Sequence, residues 1–159
     1  MAIRKRKAQA NYIKVNETFE LMGTGFTELN ESPSAQTTSK RYINQASASQ
    51  SVTGYEWTTS FNTDVIVSDK AIEHIKKIGE LQLTGADVES DYIIVDLDNE
   101  VGEDGNTYRA RQIKVAISVD SFEDNDGDMA ITGSLLGVSD IVEGKFNIST
   151  KEFTKGLEE

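Results

Sequence analysis

Apolar residues recur along most of this chain at every second position, the period of a half-buried β-strand. Residues 51–62 are the clearest case. Tyr55, Trp57, Thr59 and Phe61 fall on one face, and Gly54, Glu56, Thr58 and Ser60 on the other. Aromatics in strands serve packing, so Tyr55, Trp57 and Phe61 are expected in the core. Residues 107–122 make the longest alternating run. Ile113, Val115, Ile117 and Val119 share its apolar face, while Gln112, Lys114, Ala116, Ser118 and Asp120 share the other. At ~3.3 Å per residue this strand would extend about 50 Å, so it should bend or project beyond the body. Shorter strands are predicted at 12–15 and 18–22 around a tight turn at Asn16-Glu17. Others are predicted at 129–138, at 144–150 and at 92–97, where Tyr-Ile-Ile-Val is continuous.

One segment has a helical period. Ala71, Ile72, Ile75 and Ile78 form a single apolar stripe over residues 68–78, with Ile72, Ile75 and Ile78 expected in the core. Ser68 is the expected cap and Asp69 sits in the first turn. Lys76 and Lys77 occupy the last turn, and Gly79 is placed to end the helix. About seven strands, one helix and no strand–helix alternation imply a mainly β fold. The expectation is an antiparallel β-sandwich or barrel with one flanking α-helix, built as a single domain over residues 1–159.

Residues 23–50 break both periods. The stretch is rich in Ser, Thr, Asn and Gln and holds the chain's only proline, Pro33. A connection this long inside a small domain is functional or disordered. Lys40, Arg41, Tyr42 and Ile43 gather its charge and apolar character at one point. They are the expected anchor of an inter-subunit loop, because Tyr and Arg are favoured at interfaces. Such a loop would take its order from a neighbour.

The formal net charge is −11. That argues against a general nucleic-acid binder, whose affinity for phosphate comes from Lys and Arg. Positive charge is concentrated at Arg4, Lys5, Arg6 and Lys7, within a basic N-terminal arm over residues 1–11. It reads as a solvated tail or as an arm that docks on an acidic neighbour. No apolar stretch follows it, as a signal peptide would need, and no apolar run would span a bilayer. Residues 151–159, with Phe153 and Leu157, read as a C-terminal docking arm.

Candidate chemistry is thin. Gly23-Thr24-Gly25 lacks the further residues of a phosphate loop. Asp124, Asp126 and Asp128 alternate as calcium ligands can, but the sixth and twelfth positions of such a loop hold Met129 and Leu135. An Asp-Gly hairpin turn accounts for them more simply. His74, the only histidine, is expected at the surface without a catalytic partner. There is no cysteine. These residues assign no catalytic, cofactor-binding or metal site, and the chain is expected not to be an enzyme. The rival reading is a monomeric β-sandwich that binds calcium or a glycan through the acidic turn 124–128.

The run Phe19-Glu-Leu-Met-Gly-Thr-Gly-Phe and the run Ser32-Pro-Ser-Ala-Gln-Thr-Thr-Ser-Lys-Arg-Tyr42 carry a family likeness, as does Thr53-Gly-Tyr-Glu-Trp-Thr58. With them the chain resembles the major tail tube proteins of long, non-contractile-tailed phages and prophages of Gram-positive bacteria. The resemblance implies a subunit that polymerises as stacked hexameric rings to form the tail tube, the conduit for DNA ejection. It implies self-association through the long loop. It also implies a tape measure protein in the bore, and tail terminator and distal tail or baseplate proteins at the ends. DNA would pass without specific binding, and no membrane or cofactor is involved. The location it implies is the virion, after assembly in the bacterial host cytoplasm. Bores of this family are lined by acidic and polar residues. The lumen candidates are Glu56, Thr58 and Ser60 on one strand, and Lys114, Ser118 and Asp120 on another, Lys114 being the exception to the acidic pattern.

Overall fold

The computed structural model describes residues 2–156 of the chain. In order, the strands are β1 (Gln9–Val15), β2 (Thr18–Leu21), β3 (Phe26–Ser32), β4 (Ala35–Lys40), β5 (Ser49–Tyr55) and β6 (Thr58–Asp64). Helix α1 (Lys70–Glu80) follows, then β7 (Glu89–Glu100), β8 (Thr107–Asn125), β9 (Asp128–Gly137), β10 (Val142–Asn147) and β11 (Glu152–Lys155). The fold is mainly β and antiparallel, with one flanking helix, as the sequence pattern predicts.

The long strand β8 is the spine. β7 pairs along one edge, while β10 and β9 divide the other. β10 runs opposite residues 107–112 and β9 opposite residues 115–125. Lys114 lies at the changeover, where its N–H donates to Ser139 Oγ and its carbonyl accepts from the Val138 N–H. The main sheet therefore forks, with order β2-β1-β7-β8-β9-β6-β3 and β10-β11 as the side branch. It also curls. The rings of Tyr12 on β1 and Phe146 on β10 lie 4.8 Å apart, although β7 and β8 separate their strands.

The curl gives the sheet two cores. Ile13, Tyr92, Ile94, Ile113, Val115 and Ile117 pack with Trp57, Phe61, Leu135 and the apolar stripe of α1. Tyr12, Phe19, Ile93, Val95, Ala110 and Phe146 pack on the other face. The continuous run Tyr92–Val95 is thereby explained, since both faces of β7 are buried here and neither can be polar. The tight turns also follow from local chemistry. Asn16 and Glu17 have φ of 49° and 71°, and Asp126 and Gly127 have 53° and 93°. Both pairs give the left-handed two-residue turn that fits strand twist.

Several expectations change. The strand over 51–62 is interrupted, because β5 ends at Tyr55 and β6 begins at Thr58. The Glu56 N–H turns to the carbonyl of Ser34, and β5 pairs with β4 alone. Trp57 and Phe61 are core residues, but Tyr55 is 66% exposed on a separate hairpin. Val119 is only half-buried. Beside it the β8–β9 register skips Asp120, so the facing parity flips and Phe122 rather than Ser121 turns toward α1. Ile113, Val115 and Ile117 are buried as expected, as are Ile72, Ile75 and Ile78.

Helix α1 is capped by Asp69, whose Oδ1 accepts from the N–H groups of Ala71 and Ile72 at 3.1 and 3.2 Å. Ser68 lies one residue outside, with φ 77°. Gly79 does not end the helix. A Cβ there would stand 2.7 Å from Val119 Cγ1, so this glycine lets the last turn lie close on β8.

The stretch 23–50 is not a structureless loop. Its first part is β3, paired with β6, and its second part belongs to a two-stranded hairpin, β4–β5. Neither terminus is a free arm within the described residues. Arg4 donates to Asp96 at 2.7 Å and to Asp98 at 2.9 Å, so the basic segment docks on the chain's own β7. Residues 152–155 form β11, and Phe153 packs on the smaller core. Leu157 lies outside the described residues. No described helix is long and apolar enough to cross a membrane.

Candidate assembly surfaces

Strands β3, β6, β9 and β8 share a face turned away from α1. Their registers set Ser32, Thr58, Leu136 and Ala116 in one row, and Asn30, Ser60, Ser134 and Ser118 in the next. Glu28, Asn62, Thr132 and Ser121 follow, and then Asp64, Ala130 and Glu123. Paired residues of an antiparallel ladder point to one side, so these side chains form a common surface. All but Ala130 are half-buried or exposed. Ser121 and Thr132 share a hydroxyl–hydroxyl hydrogen bond of 2.7 Å across it.

This surface gathers four of the six lumen candidates. Thr58, Ser60 and Ser118 stand in adjacent rows, and Asp120, on the bulge, accepts from Ser118 Oγ at 3.5 Å. Lys114 has the same parity on β8 but lies at the fork, paired with Glu89 at 3.5 Å. Glu56 is elsewhere, at the root of the β4–β5 hairpin.

That root is a groove of about 720 Å³ lined by Pro33, Tyr55, Glu56, Trp57, Leu136 and Ile141 among others. Glu31 of β3 fixes its floor. Its carboxylate accepts from Trp57 Nε1 at 2.6 Å and from both terminal nitrogens of Arg111 at 3.0 and 3.1 Å. The two-point geometry matches a planar guanidinium to a carboxylate. It ties β3, the start of β6 and β8 together beneath the hairpin. Glu31 and Arg111 were not singled out from the sequence. They stand 80 residues apart, and only Trp57 marked the place.

The hairpin holds itself together. Arg41 Nε donates to the Gln45 carbonyl at 3.2 Å, and the Tyr42 N–H donates to Gln45 Oε1 at 3.0 Å. Gln45 Nε2 in turn donates to Ser49 Oγ at 2.7 Å. Lys40 lies 5.7 Å above the ring of Tyr42. These local bonds give the segment a defined hairpin shape within the single chain. Ile43 is fully exposed at the tip and Tyr42 about half so.

At the acidic turn, Asp124 Oδ1 accepts from the Gly127 N–H at 2.8 Å, which closes the turn. Among the described residues no three carboxylate, histidine or cysteine groups come together to hold a metal ion. The calcium reading thus lacks a ligand set here. His74 is partly buried rather than on the surface. Burial, and then Lys77, hold it below the usual histidine range, and its enclosed Nε2 has no partner among the described residues.

Asp96 is the centre of the N-terminal clasp. Burial alone would raise its carboxyl, but hydrogen bonds from Arg4 and Arg109 outweigh burial and hold it below the usual carboxylate range. Arg109 also reaches Glu143, so the clasp joins the N-terminal segment, β7, β8 and β10.

No family model matches the chain, and no curated protein matches it. Among solved structures, the tail of an empty GTA particle, refined helically with C6 symmetry, aligns with a TM-score of 0.62. Identity is 13%, and the match covers 87% of this chain and 97% of that one. The likeness is one of fold, and it extends over nearly the whole of the other subunit.

Proposed function

We propose that the chain is a non-enzymatic structural subunit that polymerises as stacked six-membered rings into a phage tail tube. The observation that carries this reading is the shared fold with a tail of sixfold symmetry, along nearly all of both chains. The open face of β3, β6, β9 and β8 gives the reading a bore. It is polar, and Glu28, Asp64, Asp120 and Glu123 supply negative charge. A conduit for DNA should repel phosphate, and a concave surface of one sign strengthens that field. The β4–β5 hairpin serves as the arm between subunits. A tape measure protein would occupy the bore before DNA, with tail terminator and distal tail or baseplate proteins at the ends. The virion would be its final location, after assembly in the host cytoplasm. The motif around residues 32–42 favours a phage of Gram-positive bacteria.

Negative-stain electron microscopy of the concentrated protein tests this directly. Rings or rods with sixfold end views are expected. A protein that stays monomeric under every assembly condition, tail partners included, would contradict it.

A further inference from the structure

Two hairpins leave the four-stranded face from opposite ends, and they carry opposite charge. β4–β5 departs beside the row of Ser32, Thr58, Leu136 and Ala116. The β8–β9 hairpin turns at Asp126-Gly127, beyond Asp64, Ala130 and Glu123 at the far end. Between Pro33 and Tyr55 the only charged residues are Lys40 and Arg41. From Asp120 to Asp128 the charged residues are Asp120, Glu123, Asp124, Asp126 and Asp128, all acidic. Each tip also exposes apolar side chains. Tyr42 and Ile43 stand out on the basic one, and Phe122 and Met129 on the acidic one. Phe122, Asp124, Asp128 and Met129 border a shallow hollow of about 350 Å³.

We propose that these ends are the two halves of one head-to-tail contact. The basic β4–β5 tip of one copy docks on the acidic β8–β9 hairpin of the next, with Ile43 and Tyr42 against Phe122 and Met129. The contact rests on the tube reading only for what the growing chain of copies becomes. Like ends cannot pair, because basic would face basic or acid face acid, so the charges give the stack a direction. Contact between two different surfaces repeats without closing when its displacement is along one axis. β4 alone spans roughly 20 Å at ~3.3 Å per residue, which gives the basic tip the length to engage a second copy. The groove at the hairpin root is the weaker receiver. It lies at the same end as the basic tip, and its Glu31 is already neutralised by Arg111.

Two half-blocked chains test the contact. One carries K40E/I43S, and the other carries E123Q/D126N/D128N. Arg41 and Asp124 are kept because each holds its own turn. All the changed positions are exposed, and the thermal unfolding of both should match the wild type. By sedimentation velocity, neither should elongate alone, and a 1:1 mixture should give a species of twice the mass of either. A mixture no heavier than its parts would overturn the contact. If the chain with the blocked acidic end went on elongating by itself, the receiver would be the groove, and the proposal would fail. The doubling is read whether or not six copies close into rings, so failure of the tube reading and failure of this contact give different results.

Discussion

The two halves of the sheet are built from the same strand, β8, yet they face opposite demands. Beside β7 and β10, both faces are buried, and Ile93, Val95 and Phe146 are fully enclosed on the side where the other half is polar. Beside β9, β6 and β3, only one face is apolar, and the other shows hydroxyls, amides and carboxylates. The first half is buried on both faces, while the second buries one face in the main core, through Phe61, Ile131 and Leu135, and presents the other as a surface. Substitutions should separate the two.

The largest effect is expected from Phe146→Ala. Removing a fully buried ring between Tyr12 and Phe19 should cost about 3–5 kcal/mol, read by denaturant unfolding. Ser60→Ala and Ser134→Ala on the polar face should each stay within about 0.5 kcal/mol of wild type. A large loss at Ser60 would erase the distinction between the halves. Next comes Gly79→Val, which forces a side chain into Val119 and Phe122 and should cost about 1–3 kcal/mol by overpacking.

Glu31→Gln tests the hinge between the halves. It removes the charge from the pair with Arg111 and weakens the bond to Trp57. A loss of about 1–3 kcal/mol is expected, with a change in the fluorescence of the only tryptophan. Unchanged fluorescence would show that the hairpin root is held by something else.

The smallest effect concerns the clasp. The Asp96 carboxyl is depressed in the folded chain, so its contribution is present above the unfolded carboxylate value of about 3.9 and lost as pH falls through the lower folded value. Below that range the segment around Arg4 should become accessible to protease. Arg4→Ala should produce the same accessibility at neutral pH, with little change in global stability because Arg4 is half exposed. Equal protection at pH 7 and in acid would show that the clasp does not hold this segment.

The buried surfaces were the more legible from sequence. The unbroken Tyr92–Val95 run and the stripe of α1 announce burial, because apolar residues in water-excluded positions have no polar substitute. The polar face was legible in part. Alternation set Thr58, Ser60 and Ser118 away from the core, but only strand pairing shows that they share a surface. The β4–β5 hairpin was not legible, since its strands bury nothing and their Ser and Thr carry no period. The break at Glu56-Trp57 was hidden because alternation runs across it. The skipped Asp120 set Phe122 beside Val119 on the side of α1, and a bulge leaves no mark in composition. Glu31 and Arg111 meet only through the fold.

The central claim is that the polar face of β3, β6, β9 and β8 lines an enclosed bore. The chain has no cysteine, so a single Ser60→Cys gives one reporter, with Glu73→Cys on the exposed side of α1 as the reference. In assembled rods, Ser60→Cys should react with a small maleimide but resist one carried on a particle too wide for a bore, while Glu73→Cys reacts with both. Equal reaction of the two positions with the bulky reagent would place the polar face outside and contradict the account.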